Sequence, residues 1–323
     1  MNTDKPILQL MDEFLANHAI RENSRKKYRD NLHYFINWIT RNGDVINPTK
    51  ADLIRFREYL IRIGRTANTI DSYMAPVRLF LKYLAEIGVL QNVTAWDVKS
   101  PKKSKSHHKL HLQEEQVNAL LLSINRSTMT GLRDFAIINM MVRTGMRCVE
   151  VSRADVRDLI IEDDDWIIYI QGKGHVDKDR ALGLSDMVVD PIKKYISENN
   201  LQEDSPLFLN HSNISNGTRI TTLTISKIIK RYLRVIGVDS KRITAHSLRH
   251  TAAVTALKMG ADILDVRAML GHQSVETTMI YQRSIEEERM RKGTTVRLLD
   301  NAFNTGKNNS KNSNNMGNNQ PPG

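Results

Sequence analysis

From the start of the chain to about Val98, apolar side chains recur at intervals of three and four, the spacing that lines one face of a helix. Four stretches carry it: "DKPILQLMDEFLANH", "SRKKYRDNLHYFINWITRNG", "TKADLIRFREYLIRIG" and "TANTIDSYMAPVRLFLKYLAEIG". The last three run to Gly43, Gly64 and Gly88, where left-handed C-terminal caps are expected. Thr49, with Asp52 three residues on, and Ser24, ahead of a basic turn, are the expected N-caps. Residues 1–98 therefore read as a small helical bundle. The pattern stops at "KSPKKSKSHHKLH", Lys99 to His111, which has no apolar face to bury and reads as a solvated linker between domains.

From Leu112 the helical spacing returns in "LQEEQVNALLLSI" and "GLRDFAIINMMVRTG". It then gives way to short β-branched runs separated by turn residues: Val156–Glu162, Trp166–Gln171 and about Asp179–Leu184. Helices resume in "SDMVVDPIKKYISENN", "TTLTISKIIKRYLRVIG" and "HSLRHTAAVTALKMG", and end around "ETTMIYQRSIEEERMRKG". The expected fold class is mainly α with a small antiparallel β-sheet, the second domain spanning 112–300. The tail over 301–323, rich in Asn, Gly, Ser and Pro, is expected to be disordered. There is no evident internal repeat.

Composition narrows the class of function. A chain of 323 residues suits two compact units, each with its own core. No apolar run approaches the ~18 residues that span a bilayer, and "MNTDKPILQLMDEF" does not read as a secretory signal. The single cysteine, Cys148, excludes an intrachain disulfide and zinc sites built on paired cysteines. Both observations suit a cytoplasmic protein. A net charge of +11 calls for a polyanionic partner. Without a cationic amphipathic anchor or lipidation signal, nucleic acid is favoured over a membrane surface. The linker's three histidines have no cysteine or carboxylate close by, so a basic strap along phosphates suits that segment better than a metal site.

Four pieces of the second domain carry polar groups that folding alone does not require. In "VRTGMRCVEV", Arg147 stands three residues before Glu150. In "QGKGHVDKDRAL", Lys173 lies between two glycines at a strand-to-strand turn. In "TAHSLRHTAAV", His246 and Arg249 stand three apart near a helix start, followed by His250 and Thr251, where free N–H groups favour an anion. In "LGHQSVETTMIYQR", His272 follows a Gly271 turn and Tyr281 lies further along the next helix. Taken singly, each has an ordinary reading: a surface ion pair, a turn lysine, a helix start, a turn cap or a packed aromatic. Together they supply cations, proton-transfer groups and a hydroxyl nucleophile, a set suited to phosphoryl transfer at a phosphodiester. No cluster of carboxylates stands ready for two metal ions, which disfavours a metal-dependent nuclease.

The ordered series "TGMRCVEV", "GKGHVDKDR", "HSLRHTAA" and "LGHQSVETTMIYQR" resembles the catalytic boxes of the tyrosine recombinase, or phage integrase, family. The stretches "SRKKYRDNLHYFINWI" and "TANTIDSYMAPVRLFLKYLAEIG" are similar to its N-terminal helical core-binding, SAM-like domain, so the resemblance covers nearly the whole chain. Departures are small. Met146, Cys148 and Val149 replace commoner neighbours of the first arginine, and His272 stands where some members have tryptophan.

The resemblance implies a role for each residue. Arg147 and Arg249 would clamp the non-bridging oxygens of the scissile phosphate, Lys173 would protonate the departing 5′-oxygen, and His246 would assist deprotonation of the tyrosine. His272 would bond the phosphate, Glu150 would orient the groups that touch it, and Tyr281 would attack, leaving a 3′-phosphotyrosyl link. It also implies a homotetramer on double-stranded DNA recombination sites, exchanging strands through a Holliday junction without metal, other cofactor or ATP. Accessory DNA-bending or directionality proteins are compatible with it, and no membrane partner is implied. Arg25, Lys26 and Lys27 in the second helix, with Lys102, Lys103 and Lys105 in the linker, are the expected phosphate contacts. Because the two domains begin almost at residue 1, an additional arm-site domain is not expected, which fits an Xer-like resolvase or a compact mobile-element integrase. Two rivals are a type IB topoisomerase-like nicking-closing enzyme, which would relax supercoils without paired sites, and a non-catalytic architectural DNA-binding protein, which would tolerate Tyr281→Phe.

Overall fold

The computed structural model describes residues 6–18, 22–90, 98–101, 110–172, 177–212, 216–240 and 242–303. It separates into two compact units, Met1–His107 and His108–Gly323. Most of the expected linker, 102–109, and the tail from 304 onward lie outside the described residues.

The first unit contains α1 (Ile7–Asn17), α2 (Glu22–Asn42), α3 (Lys50–Arg62) and α4 (Ala67–Glu86). Its core is aromatic and aliphatic, with Phe14, Phe35, Phe56 and Phe80 buried among Leu15, Leu32, Leu53 and Met74. Thr49 caps α3 as expected. Its hydroxyl accepts the Asp52 N–H, and the Asp52 carboxylate accepts the Thr49 N–H at 2.8 Å. Ser24 is not a cap, because α2 already begins at Glu22. Gly64 and Gly88 have the left-handed backbone expected of them, but Gly43 does not. A Cβ at Gly43 would come within 2.8 Å of Asp52 Oδ1, so glycine serves close approach there rather than chirality.

The second unit contains α5 (Glu114–Leu122), α6 (Met129–Thr144), α7 (Cys148–Arg153), α8 (Asp186–Glu198), α9 (Thr222–Val235), α10 (Ala245–Lys258), α11 (Ile263–Leu270), α12 (Val275–Arg291) and α13 (Thr294–Ala302). Between α7 and α8 lies a three-stranded antiparallel sheet, β1 (Leu159–Glu162), β2 (Asp165–Ile170) and β3 (Arg180–Leu184), in the order β1-β2-β3. Asp163 and Asp164, both at positive φ, make the tight β1–β2 turn. Helix α6 is the central element. Ala136 through Val142 are all buried, and it packs on α8 and α10.

In this unit three further points differ from expectation. Val156–Asp158 is a 3-10 turn rather than the start of a strand, because the Val156 and Arg157 N–H groups donate to Ser205 O and Glu203 O instead of to a sheet neighbour. The segment "ADILDVRAML", for which no element is expected, forms α11, capped by Asp262, which accepts the Leu264 N–H at 2.6 Å. Asn301 and Ala302, assigned to the tail, finish α13, whose apolar residues recur at helical spacing up to Phe303.

Two helices contain an interior proline, and each solves the same problem in the same way. A proline lacks the N–H that would bond the carbonyl four residues back. Pro76 in α4 leaves Ser72 O, and Asn31 of α2 donates its amide to that oxygen at 2.8 Å. Pro191 in α8 leaves Met187 O, and Asn139 of α6 donates to it at 2.6 Å. Both asparagines are buried, and each gives the freed carbonyl a donor in place of the missing N–H.

Candidate active site

The site is organised by the ends of three helices. Helix α6 stops at Gly145 in the left-handed conformation, φ +67°, and the chain turns at once into α7. A Cβ at Gly145 would lie 2.5 Å from Leu270 Cδ2, so the turn needs glycine for space as well as for backbone. Arg147 caps α7. Its N–H donates to Glu150 Oε2 at 2.8 Å and its Nη1 donates to Glu150 Oε1 at 2.7 Å. One buried carboxylate thus holds both the backbone and the guanidinium of Arg147.

Arg249, on α10, is 2% exposed. Its Nη1 donates to Gly145 O at 2.8 Å and its Nη2 to Leu270 O at 2.7 Å. Arg147 Nη1 also reaches Leu270 O at 3.4 Å. Arg180 of β3 donates to Met269 O at 2.7 Å and lies 3.3 Å from Glu150 Oε2. The last carbonyls of α11, which have no partner within their own helix, therefore receive three guanidinium groups at the negative end of that helix. Together with Glu150 they let three cations share one place. Burial, and then the neighbouring Arg147, pull the Arg249 pKa down to about 10, which leaves it charged at neutral pH.

His272 follows Gly271, the left-handed cap of α11. Its Nδ1 shares a hydrogen bond with the buried Thr278 hydroxyl at 2.8 Å, which leaves Nε2 to meet a ligand. Burial, then Arg249 and Arg147, lower its pKa to about 4, so the ring is neutral at pH 7. The Tyr281 ring on α12 lies 6.1 Å from His272, nearly parallel at 13°, and is 6% exposed. Tyr281 is also among the groups that act electrostatically on Arg249. His246, exposed on the first turn of α10, lines a cleft of about 560 Å³ with Arg147 and Arg249. Its floor is apolar, built from Met141, Met146 and Ala245.

Of the residues singled out in the sequence, Arg147, Glu150, His246, Arg249, His272 and Tyr281 are thus brought to the junction of α7, α10, α11 and α12. Lys173, Lys102, Lys103 and Lys105 lie outside the described residues. Arg25, Lys26 and Lys27 are in the first part of α2, Lys26 and Lys27 exposed. Sequence reading missed Arg180, whose only signal was its place after the turn expected around Lys173. It also missed Thr278, and Lys227 and Lys230 on α9, which line the cleft at a spacing of three. Lys230 is held by Asp239 at 3.0 Å and Ser240 O at 2.8 Å.

Residues 111–288 match the model of the phage integrase family. The chain belongs to that family. As a phage integrase family member it is a tyrosine site-specific recombinase, an enzyme of DNA recombination, and it is Xer-like. The chain is 32% identical over 288 residues to the tyrosine recombinase XerC of Herpetosiphon aurantiacus, covering 84% of this chain and 90% of that one. It is 30% identical over 285 residues to XerD of Listeria innocua, covering 84% and 93%. Among solved structures it is similar to the XerH recombinase bound to a palindromic difH substrate, with a TM-score of 0.69 at 22% identity, covering 84% of this chain and 79% of that one. That likeness extends the shared fold across both units of the family member.

Proposed function

We propose that this recombinase cuts and rejoins duplex DNA with Tyr281 as its nucleophile. The observation that carries the reading is that Arg147, His246 and Arg249 line one cleft, and that all three act electrostatically on His272, whose ring lies against that of Tyr281. Tyr281 Oη attacks the scissile phosphorus, forming a phosphotyrosyl bond at the 3′ side, and the bond to the 5′-oxygen breaks. The phenol proton passes to His246, and the departing 5′-oxygen takes a proton from Lys173. Arg147 and Arg249 each offer a fork of donors to the non-bridging oxygens, and His272 Nε2 offers one more. Glu150 keeps Arg147 aimed at them, and Arg180 shares that carboxylate.

A free phenol titrates near ~10, so about one in a thousand is ionised at pH 7, and the guanidinium groups favour the anion that forms. They also supply the charge stabilisation that a metal supplies in other phosphoryl transfers. The phosphotyrosyl bond keeps a phosphodiester-like linkage, so a 5′-hydroxyl from another strand reseals the DNA without ATP. The +11 charge suits a duplex partner, and the relative XerH was solved on its own DNA substrate. Strand exchange in pairs through a Holliday junction requires four protomers. The exposed apolar residues Val296, Leu298, Leu299 and Phe303 of α13 suit docking on a neighbouring copy.

Junctions sequenced from DNA of cells that express the protein identify its site. On a nicked duplex carrying that site, Tyr281→Phe is expected to bind as the wild type does and to form no SDS-resistant adduct. An adduct that persists in the variant overturns the assignment.

A further inference from the structure

Three histidines and the tyrosine form a row of rings in the second unit. His111 lies 5.6 Å from His250, centroid to centroid, and within 23° of parallel. His250 meets Tyr281 edge-on at 4.9 Å and 71°, and Tyr281 lies against His272. The chemistry above uses the last two rings and has no task for the first two.

His250 is 1% exposed and directly follows Arg249. Burying an imidazole is more costly than burying a hydrocarbon of the same size, so its presence beside Tyr281 calls for a reason. Apart from the ring of His272, Tyr281 belongs to a buried cluster that is aliphatic: Ala253, Val254, Val266, Leu270 and Ile285. Aliphatic packing excludes water but has little preference for a ring angle, whereas an edge-to-face ring contact has a defined one. His111 stands where the chain enters this unit, and the entry is pinned to α10. The Leu112 N–H donates to Thr251 Oγ1 at 2.9 Å, and that hydroxyl donates to Ser247 O at 2.9 Å. The entering segment thus grips the same turn of α10 that carries Arg249 and His250.

We infer that His250 is a positioning residue for Tyr281, its ring fixing both where the tyrosine ring sits and its plane, and so the place and lone-pair direction of the nucleophilic oxygen, with His111 holding His250 from behind. The alignment of the nucleophile is thereby coupled to the segment that leads into the unit. This inference rests on Tyr281 being the nucleophile.

The test uses the full chain and the nicked duplex carrying the recovered site, made with either an ordinary 5′-oxygen or a bridging sulfur as leaving group. His250→Leu fills the space without a ring, and His250→Phe keeps one. At saturating duplex, H250L should form adduct more slowly, on the order of 10–10²-fold, the scale of an ångström misplacement of a reacting group, with duplex affinity and melting temperature near wild type. The deficit should persist with the sulfur leaving group, because the fault lies with the attacking oxygen. H250F should recover most of the rate. His111→Ala should slow the reaction less, and should add nothing in an H250L background if it acts through that ring. Wild-type rate in H250L, a deficit that the sulfur leaving group abolishes, or an H250F variant as slow as H250L overturns the inference. If Tyr281→Phe is inert while H250L reacts normally, only this inference fails. If Tyr281→Phe still forms adduct, the reading beneath it fails as well.

Discussion

The two units differ in what they bury. Among the described residues of the bundle, the buried charged side chain is Asp52, which serves the cap of α3 and takes Arg55. The second unit buries Arg133, Asp134, Glu150, Asp155, Asp158 and Arg249. Asp134 takes Arg133 at 2.7 Å and Arg231 at 2.6 Å. Asp155 and Asp158 take Lys178. Removing a charge from water costs several kcal/mol before its partner compensates, and apolar packing in its place is often as stable. A scaffold that only has to hold its shape has little use for such groups, and the bundle does largely without them. On the mechanism proposed above, the arginines that meet the phosphate cannot be replaced, and the buried Glu150 and the end carbonyls of α11 hold them. Interior prolines, by contrast, are handled alike in both units, by a buried asparagine.

The largest test of this contrast is Arg249→Ala. Adduct formation should fall on the order of 10²–10³-fold, as for loss of one charge-stabilising donor. Stability should fall too, since Gly145 O and Leu270 O each lose a donor and an unsatisfied buried group costs about 1–3 kcal/mol. The paired but exposed Arg55 of the bundle should lose at most about 1 kcal/mol on replacement by alanine. Single-turnover cleavage and urea unfolding read both, and a rate within threefold of wild type for Arg249→Ala would erase the distinction.

A smaller effect tests the shared device. Asn31→Ala and Asn139→Ala should each destabilise by about 1–3 kcal/mol. In a Pro76→Ala or Pro191→Ala background the helix regains its own N–H, and the same asparagine change should cost less. A double-mutant cycle in urea that showed strict additivity would refute the pairing.

The smallest is a titration. The folded pKa of His272, about 4, lies below its ordinary 6.5, so between those values the unfolded chain binds more protons. This residue's contribution to stability is therefore complete above pH 6.5 and declines as pH falls toward 4. Arg147→Gln removes a nearby cation and should raise the midpoint seen by NMR. An unchanged midpoint would separate His272 from the arginine cluster.

Much of the fold was legible because periodicity is a local property. The helices of the bundle, the central α6 and the hairpin strands follow from apolar spacing and turn residues. The errors fall where partners distant in sequence decide. Val156–Asp158 opens a run with β-branched residues, yet Ser205 O and Glu203 O take its first N–H groups. Gly43 resembles its two fellow caps, yet the side chain of Asp52 is what requires it. The candidate site was legible as an ordered set of residue types, the cations, proton carriers and hydroxyl that the proposed phosphoryl transfer needs. Arg180 was not, since an arginine on a strand looks the same whether it faces solvent or a buried carboxylate.

The sequence by itself determined the residue chemistry, the helical spacing, the positive charge and the order of the four polar segments. The tertiary structure decided which of those residues meet. The carbonyls at the end of α11 gather Arg147, Arg180 and Arg249, and the rings of His111 and His250 line up behind Tyr281. The physical reason is that side-chain type is carried by each residue alone. Burial, charge pairing and ring contact depend on neighbours that only the packed chain brings within reach.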